Sequence, residues 1–449
     1  MRLHLINIKE RSHNIFHSKK APWLPRMIIL AFIVGAVGGV TAVGFYELIL
    51  LMKRLFWGTG SIAVFLDSVT GLPWYTRLFI PTIGGLIVGL MVTYVVPEAR
   101  AHGVPLVMEA AALKEGVFSF AIAPLKAFVT AICIGSGGSA GRVGPIIQFS
   151  SSFGSSLGSF FSLSPEKVKT LLAAGAAAGV AGTLNAPMAG VIFSVEVILR
   201  EIKFDSFSPI IIAAVTGTAV ANSIFGRTGA IASIPGYQIV SYWELFFYIG
   251  LGIFSAGLAL GFSNMLYFTE DVFEKLPIPK ALKAAVGGLM LGGLALVLPQ
   301  IHSTGYPVLE SALQGQLAVG LVFALMVGKI LATSLTLGSG GSGGVFAPAL
   351  FIGAMAGSSY GSMVGMVFPN STAIASSYGM VGIGALFAGA THAPLTAIMI
   401  VFEITRDPKI IIPLILACFI SSFVATSIQK KNIYTAKLLR RGVDIEQFS

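Results

Sequence analysis

The residues of this sequence best suited to chemistry lie in two glycine- and serine-rich turns, each closed by a proline. KAFVTAICIGSGGSAGRVGP begins at Lys126, and KILATSLTLGSGGSGGVFAP begins at Lys329, 203 positions later. Gly135, Ser136, Gly137, Gly138, Ser139, Gly141 and Pro145 recur as Gly338, Ser339, Gly340, Gly341, Ser342, Gly344 and Pro348, and Lys126 and Thr130 recur as Lys329 and Thr333. A run of small residues ending in proline stops one helix and starts the next, leaving main-chain N–H groups without intrahelical partners. Such amides, at the positive end of a helix, favour anions. Anion binding by main-chain donors is the chemistry these turns predict. Lys126, Arg142 and Lys329 beside them are read as setting a positive potential, because a fixed cation inside a filter would hold an anion too long for conduction.

Other chemistries fit poorly. GSGGSAG contains a loose G-x-G-x-x-A dinucleotide pattern, but no acidic residue stands about 20 positions further on, and the Lys-Ser/Thr of a phosphate loop is missing. Cys133 and Cys418 each lie in apolar sequence, so neither a disulfide framework nor a zinc site is supported, and core packing is their expected role. The sequence reads as a non-enzyme with no metal site and no cofactor.

The elements that hold these turns are strongly apolar. Of 449 residues, 55% are hydrophobic and 11% charged, with mean hydropathy +0.86, well away from soluble domains. An all-α polytopic membrane protein is expected. Apolar stretches fall at 27–52, 77–96, 117–134, 145–162, 168–199, 208–224, 243–267, 282–299, 316–337, 345–368, 376–403 and 409–427. Some exceed the ~20 residues a span requires and others fall short, which predicts tilted and partial helices. The segment before the first stretch carries Arg2, Lys9, Arg11, Lys19, Lys20 and Arg26. The stretch itself is too long for a signal-peptide core and reads as a retained helix.

Lys430, Lys431, Lys437, Arg440 and Arg441 crowd the C-terminal tail. The positive-inside rule then places both termini in the cytoplasm of a plasma (bacterial inner) membrane, with an even number of crossings. The tails account for part of the net charge of +10 and can touch anionic lipid headgroups. No nucleic-acid module accompanies them, and no soluble C-terminal domain is expected in residues 428–449.

The repeat continues past the turns. Gly154, Ser155, Ser156, Gly158 and Ser159 match Gly357, Ser358, Ser359, Gly361 and Ser362. After a short insertion Gly175, Ala181, Gly182, Ala186, Pro187 and Glu196 match Gly382, Ala388, Gly389, Ala393, Pro394 and Glu403. Small residues at these intervals let helices pack closely in lipid. Two halves are expected to meet about a central axis in inverted orientation, with an ion site near the bilayer midplane. The organisation expected is a basic N-terminal segment 1–26, a first half-repeat 27–226, a second 227–427 and a basic C-terminal segment 428–449.

These residues resemble the CLC family of chloride channels and proton-coupled chloride exchangers. Family members carry G-[SNH]-G-[IV]-P, G-[RK]-E-G-P, G-x-F-x-P and a tyrosine after the last membrane helix, in that order. Here the corresponding stretches are His102-Gly103-Val104-Pro105, Gly141-Arg142-Val143-Gly144-Pro145, Gly344-Val345-Phe346-Ala347-Pro348 and Tyr434. The resemblance implies an anion site formed by His102, Gly103, Val104, Arg142, Val143, Gly144, Val345, Phe346, Ala347 and Tyr434. It implies gate positions at Val143 and Phe346, and a homodimer with one anion path in each subunit. Chloride and similar anions would be the transported partners, membrane lipid the surroundings.

Three departures from the family pattern bear on mechanism. The glutamate of G-R-E-G-P, which in the family gates the external site and in exchangers carries the proton, is Val143 here. The internal proton-transfer glutamate, expected one residue after the glutamate that ends an apolar helix, is Val197 following Glu196. Valine neither ionises nor competes as an anion. Third, His102 stands where many relatives have a serine. A neutral imidazole offers one donor and a protonated one two, so either it strengthens anion binding on acidification or it turns away and bonds to backbone.

The function expected is passive chloride conduction uncoupled from protons. Two alternatives stand beside it. One is a chloride/proton or fluoride/proton exchanger using a different carrier, with Glu196, Glu109 or His102 as candidates. The other is a non-conducting sensor or scaffold on the same fold, with Val143 as an apolar plug. Glu196 and Glu403, at equivalent repeat positions, read as structural partners of nearby cations or amides.

Overall fold

The computed structural model describes residues 23–59, 65–96, 103–201, 203–226, 236–237, 240–369 and 372–445. The described residues are helical apart from turns and one isolated β-bridge. The first half contains α1 (Trp23–Trp57), α2 (Phe65–Thr70), α3 (Trp74–Tyr94), α4 (Gly103–Leu113), α5 (Ala123–Gly135), α6 (Val143–Phe160), α7 (Pro165–Leu184), α8 (Pro187–Phe193) and α9 (Phe204–Phe225). The second contains α10 (Glu244–Lys275), α11 (Lys280–Val297), α12 (Tyr306–Leu313), α13 (Val319–Gly338), α14 (Phe346–Val367), α15 (Ala375–Thr391), α16 (Pro394–Thr405), α17 (Ile411–Ile428) and α18 (Ile433–Arg440). Among the described residues, 8 helices are long and apolar enough to cross a membrane, and others are short. The chain is a multi-pass membrane protein of mixed full and partial helices. The expected boundary between halves, at 226 and 227, falls where α9 has ended, beside residues outside those described.

Two of the expected stretches are each two helices. The stretch 168–199 divides into α7 and α8, and 376–403 into α15 and α16. Asn185 (φ 57°) and His392 (φ 54°) end the first helix of each pair in the left-handed conformation. Pro187 and Pro394 then begin the second, where a missing N–H costs nothing. The two breaks fall at repeat-equivalent positions.

The repeat glycines sit at helix crossings, and the crossings are themselves repeated. A Cβ placed on Gly175 would lie 2.2 Å from Ser150 O, and one on Gly154 2.2 Å from Leu171 O, so α6 and α7 meet backbone to backbone. At the equivalent positions of α14 and α15, a Cβ on Gly382 would lie 2.5 Å from Gly353 O and one on Gly357 2.1 Å from Tyr378 O. Tight packing of this kind replaces the hydrophobic drive that lipid removes. One large core cluster joins both halves, running through Val143, Phe346, Val197 and Tyr434.

Candidate anion site at the helix breaks

Each glycine-rich turn closes its helix in the same way. Gly137 (φ +106°) and Gly340 (φ +102°) occupy a conformation open to glycine. The Gly138 N–H donates to Cys133 O at 2.8 Å and the Gly341 N–H to Thr336 O at 3.0 Å, the closing bond of a Schellman turn. The chain then crosses to the other half. Gly141 N–H donates to Gly344 O at 2.7 Å and Gly344 N–H returns to Gly141 O at 3.0 Å, an antiparallel bridge between repeat equivalents. Thr130 Oγ1 and Ser342 Oγ lie 2.8 Å apart, and Ser139 Oγ and Thr333 Oγ1 3.0 Å apart, again as equivalent pairs. A residue that pairs with its own repeat equivalent, running antiparallel, lies on a two-fold axis. The inverted arrangement of the halves is built into these bonds.

Three helices begin at this axis with one sequence grammar. α4 opens Gly103-Val104-Pro105, α6 opens Val143-Gly144-Pro145, and α14 opens Phe346-Ala347-Pro348. Proline in the first turn gives up an N–H that would be orphaned anyway. Arg142 and Val345 stand at the N-caps of α6 and α14, and neither side chain caps its helix. The first amides of both helices are thus left to face outward from the helix end. The three ends converge: a Cβ on Gly103 would lie 2.3 Å from Gly144 O, and one on Gly144 3.5 Å from Gly344 Cα and 3.9 Å from Gly103 N. Gly103, Val104, Val143, Gly144, Val345, Phe346 and Ala347 are all buried there. His102 lies outside the described residues.

The two positions expected to gate, Val143 and Phe346, are apolar and packed. Val143 is 0% exposed at the first position of α6. The Phe346 ring stands 4.6 Å from that of Phe387 and 6.2 Å from that of Phe193, measured between centroids. Tyr434 is buried, and its hydroxyl has no hydrogen-bond partner among the described residues. Its helix α18 packs against α4 and is pinned by a capping box at Asn432, by the Tyr267 hydroxyl on Ile433 O, and by the pairs Lys437–Glu270 and Arg440–Asp271.

Glu196 and Glu403 do the same work in opposite halves. Glu196 Oε1 accepts from Leu395 N–H at 3.1 Å, and its Oε2 from Thr396 N–H at 2.7 Å and Thr396 Oγ1 at 2.6 Å. Glu403 accepts from Met188 N–H at 3.0 Å and Ala189 N–H at 2.7 Å. The N-caps of α8 and α16 are Ala186 and Ala393, which have no side-chain oxygen. The missing cap comes from the other half. Val197 follows in a single π-helical turn, Ser194–Leu199. Left-handed residues Arg200 and Arg406 end the two helices, and Arg200 lies one residue further from Glu196 than Arg406 from Glu403. The extra residue is absorbed as the wide turn, a form common at functional sites.

The basic residues differ in setting. Lys329 Nζ is fully buried and donates to Ile301 O at 2.9 Å and Ser303 O at 2.8 Å, so its charge is held against the 299–305 loop. The Arg142 guanidinium carbon lies 4.9 Å from the ring centre of Tyr46 and 5.5 Å from that of Tyr306. Sequence reading gave no sign of either partnership, because Tyr46, Ile301 and Tyr306 come from distant segments. Glu109 is buried in α4 and pairs with Lys114 at 2.8 Å and Arg441 at 3.1 Å.

Comparison with known proteins agrees with this architecture. The profile of the family described as voltage gated chloride channel matches residues 84–426. A putative chloride channel protein ClcB-like from Ralstonia nicotianae is 34% identical over 426 residues, covering 93% of this chain and 98% of that one. An H(+)/Cl(-) exchange transporter ClcA from Yersinia pseudotuberculosis is 29% identical over 430 residues, covering 94% and 89%. The solved structure of a slow cyanobacterial Cl−/H+ antiporter superposes with TM-score 0.84 at 26% identity, over 93% of this chain and 98% of that one. A profile match across most of the chain, with a relative that follows it almost end to end, makes this protein a member of the CLC family of chloride channels and H+/Cl− exchangers.

Proposed function

We propose that the chain conducts chloride and similar anions passively, as a homodimer with one path in each subunit. The proposal includes both termini in the cytoplasm of a bacterial inner membrane. The observation that carries it is Val143, buried at the first turn of α6 where three helix ends converge. A side chain without an ionisable group there neither competes with the anion nor shuttles a proton. Val197 removes the second expected carrier in the same way. The anion would be held by the first amides of α4, α6 and α14 and by the Tyr434 hydroxyl, donors that bind without a fixed full charge.

An exchanger is favoured by one observation, the exchanger and antiporter among the relatives. Against it, both carboxylate oxygens of Glu196 are engaged as a cap for α16, and Glu109 already faces two cations. Efflux of chloride from liposomes with simultaneous external pH recording separates the cases. The expected result is rapid efflux with no stoichiometric proton movement. Uphill proton transport driven by a chloride gradient would reject passive conduction, fluoride-selective flux would indicate the fluoride-exporting branch, and absence of any anion flux would indicate a scaffold.

The location of the site has its own test. Bromide soaked into crystals and located by anomalous scattering is expected between Gly141–Pro145 and Gly344–Pro348, near His102 and Tyr434. Bromide confined to other regions would reject the assignment.

A further inference from the structure

The helix α18 is eight residues long, too short to hold its shape alone, yet it carries the buried and unpartnered Tyr434 hydroxyl. Its buried aliphatic side chains are Ile433, Ala436 and Leu438. Most of what fixes it is polar. Ile433, Lys437 and Arg440, spaced i, i+4 and i+7, lie on one face of it. Across from them stand Tyr267, Glu270 and Asp271, spaced i, i+3 and i+4 in the last turns of α10. Tyr267 Oη donates to Ile433 O, Lys437 Nζ to Glu270 Oε1 and the Arg440 guanidinium to Asp271 Oδ1. Arg440 Nε also lies 3.9 Å from Glu270 Oε2, and its guanidinium carbon 5.2 Å from the ring centre of Tyr267.

Tyr434 lies on the neighbouring stripe of the helix, with Leu438 and Arg441. Arg441 Nη1 donates to Glu109 Oε2 at 3.1 Å, which ties that stripe to α4, the helix that opens with Gly103 at the breaks. Asn432 Nδ2 donates to Thr391 O at 2.8 Å and anchors the N-cap to the end of α15. The side chains of Lys437 and Glu270 are 10% and 19% exposed, those of Arg440 and Asp271 34% and 45%. The Lys437–Glu270 rung is therefore the one whose loss water repairs least well. Lys437 and Tyr434 stand three residues apart, within one turn of a helix, so a roll that moves the ammonium also moves the phenol.

We propose that Glu270 is a positioning residue for anion binding: by holding Lys437 it fixes the roll of α18, and with it the reach of the Tyr434 hydroxyl toward the anion. Asp271 supports it on the outer rung through Arg440. A nearly buried ammonium that has lost its counter-charge is drawn toward water. The short helix then turns to hydrate it, and the hydroxyl is carried away from the first amides of α4, α6 and α14. Glu270 acts through the helix and makes no contact with the anion. The inference rests on the reading of Tyr434 as an anion ligand and names what holds that ligand in place.

The test is calorimetric titration of bromide into the full chain, in detergent and chloride-free buffer, as wild type, Glu270→Gln, Tyr434→Phe and the double variant. Glu270→Gln is expected to weaken bromide binding about threefold to fivefold, the upper range for a partly exposed ion pair. In the Tyr434→Phe background the same change should cost nothing further, because the hydroxyl it positions is gone. Exchanging the charges, Glu270→Lys with Lys437→Glu, should restore most of the affinity. Asp271→Asn, on the more exposed rung, should act in the same direction and more weakly. Wild-type affinity in Glu270→Gln, no recovery in the exchanged pair, or a loss that adds in full to that of Tyr434→Phe would overturn the positioning role while leaving Tyr434 an anion ligand. Bromide binding unchanged by Tyr434→Phe would overturn the reading of Tyr434 itself, and the positioning role with it.

Discussion

Val143→Glu is expected to reduce chloride efflux from liposomes by about tenfold or more at neutral pH and to return most of it on acidification. Val143 is 0% exposed, at the first position of α6 and at the meeting point of three helix ends. An ionised carboxylate there takes the place of the anion at the same amides. Protonation removes that charge and releases the amides to chloride, so flux is expected to recover as the pH falls toward the ordinary carboxylate range of ~4.3. The measurement is the initial rate of efflux between pH 4.5 and 8 for both proteins. Rates identical at every pH would place residue 143 off the path.

The second large effect concerns stability. Glu196→Ala strips two amides and a hydroxyl of their acceptor, and Glu403→Ala strips two amides. Hydrogen bonds to a charged group contribute about 1.5–3 kcal/mol each, so a loss on the order of 3 kcal/mol or more is expected for each variant. Thermal unfolding monitored by size-exclusion recovery should show both variants well below the wild type, with Glu196→Ala at least as severe. Glu196→Gln keeps one acceptor oxygen and the shape, and should lose less stability than Glu196→Ala while keeping wild-type anion flux. A Glu196→Gln protein that is fully stable yet loses an established proton flux would identify Glu196 as a carrier and remove the capping account.

The breaks, the duplication and the apolar character of the chain were legible because each leaves a local mark. Gly137 and Gly340 need a left-handed conformation, the prolines need a first helical turn, and the equal spacing of the copies is visible without any structure. The family motifs also lie in single short stretches. What escaped sequence reading is what depends on contact across the chain. The division of 168–199 and 376–403 into helix pairs was hidden by continuous apolarity, although Pro187 and Pro394 marked both places. The short helices α12 and α18 fall below the length at which periodicity is informative, and α4 only just reaches it. Lys53, Arg142 and Tyr306 come together only because α1, α6 and α12 meet, and nothing in their neighbours along the chain announces it. Glu196 and Glu403 were expected to partner amides or cations from their sequence positions, but the reciprocity of the bonds they accept depends on contact between both halves.

The antiparallel bridge of Gly141 with Gly344 also bears on how such a chain could have arisen. A two-fold axis that maps a polypeptide onto its own repeat, while reversing its direction through the bilayer, is the symmetry of two identical shorter proteins inserted in opposite senses. The cross-half bonds of Thr130 with Ser342 and Ser139 with Thr333, and the exchanged caps of Glu196 and Glu403, would then have been contacts between separate molecules. Fusion into one gene frees each copy to change alone. An ancestral pair had to carry the same residue on both sides of the axis, whereas the fused chain can hold valine at 143 and phenylalanine at 346, giving the first turns of α6 and α14 different side chains.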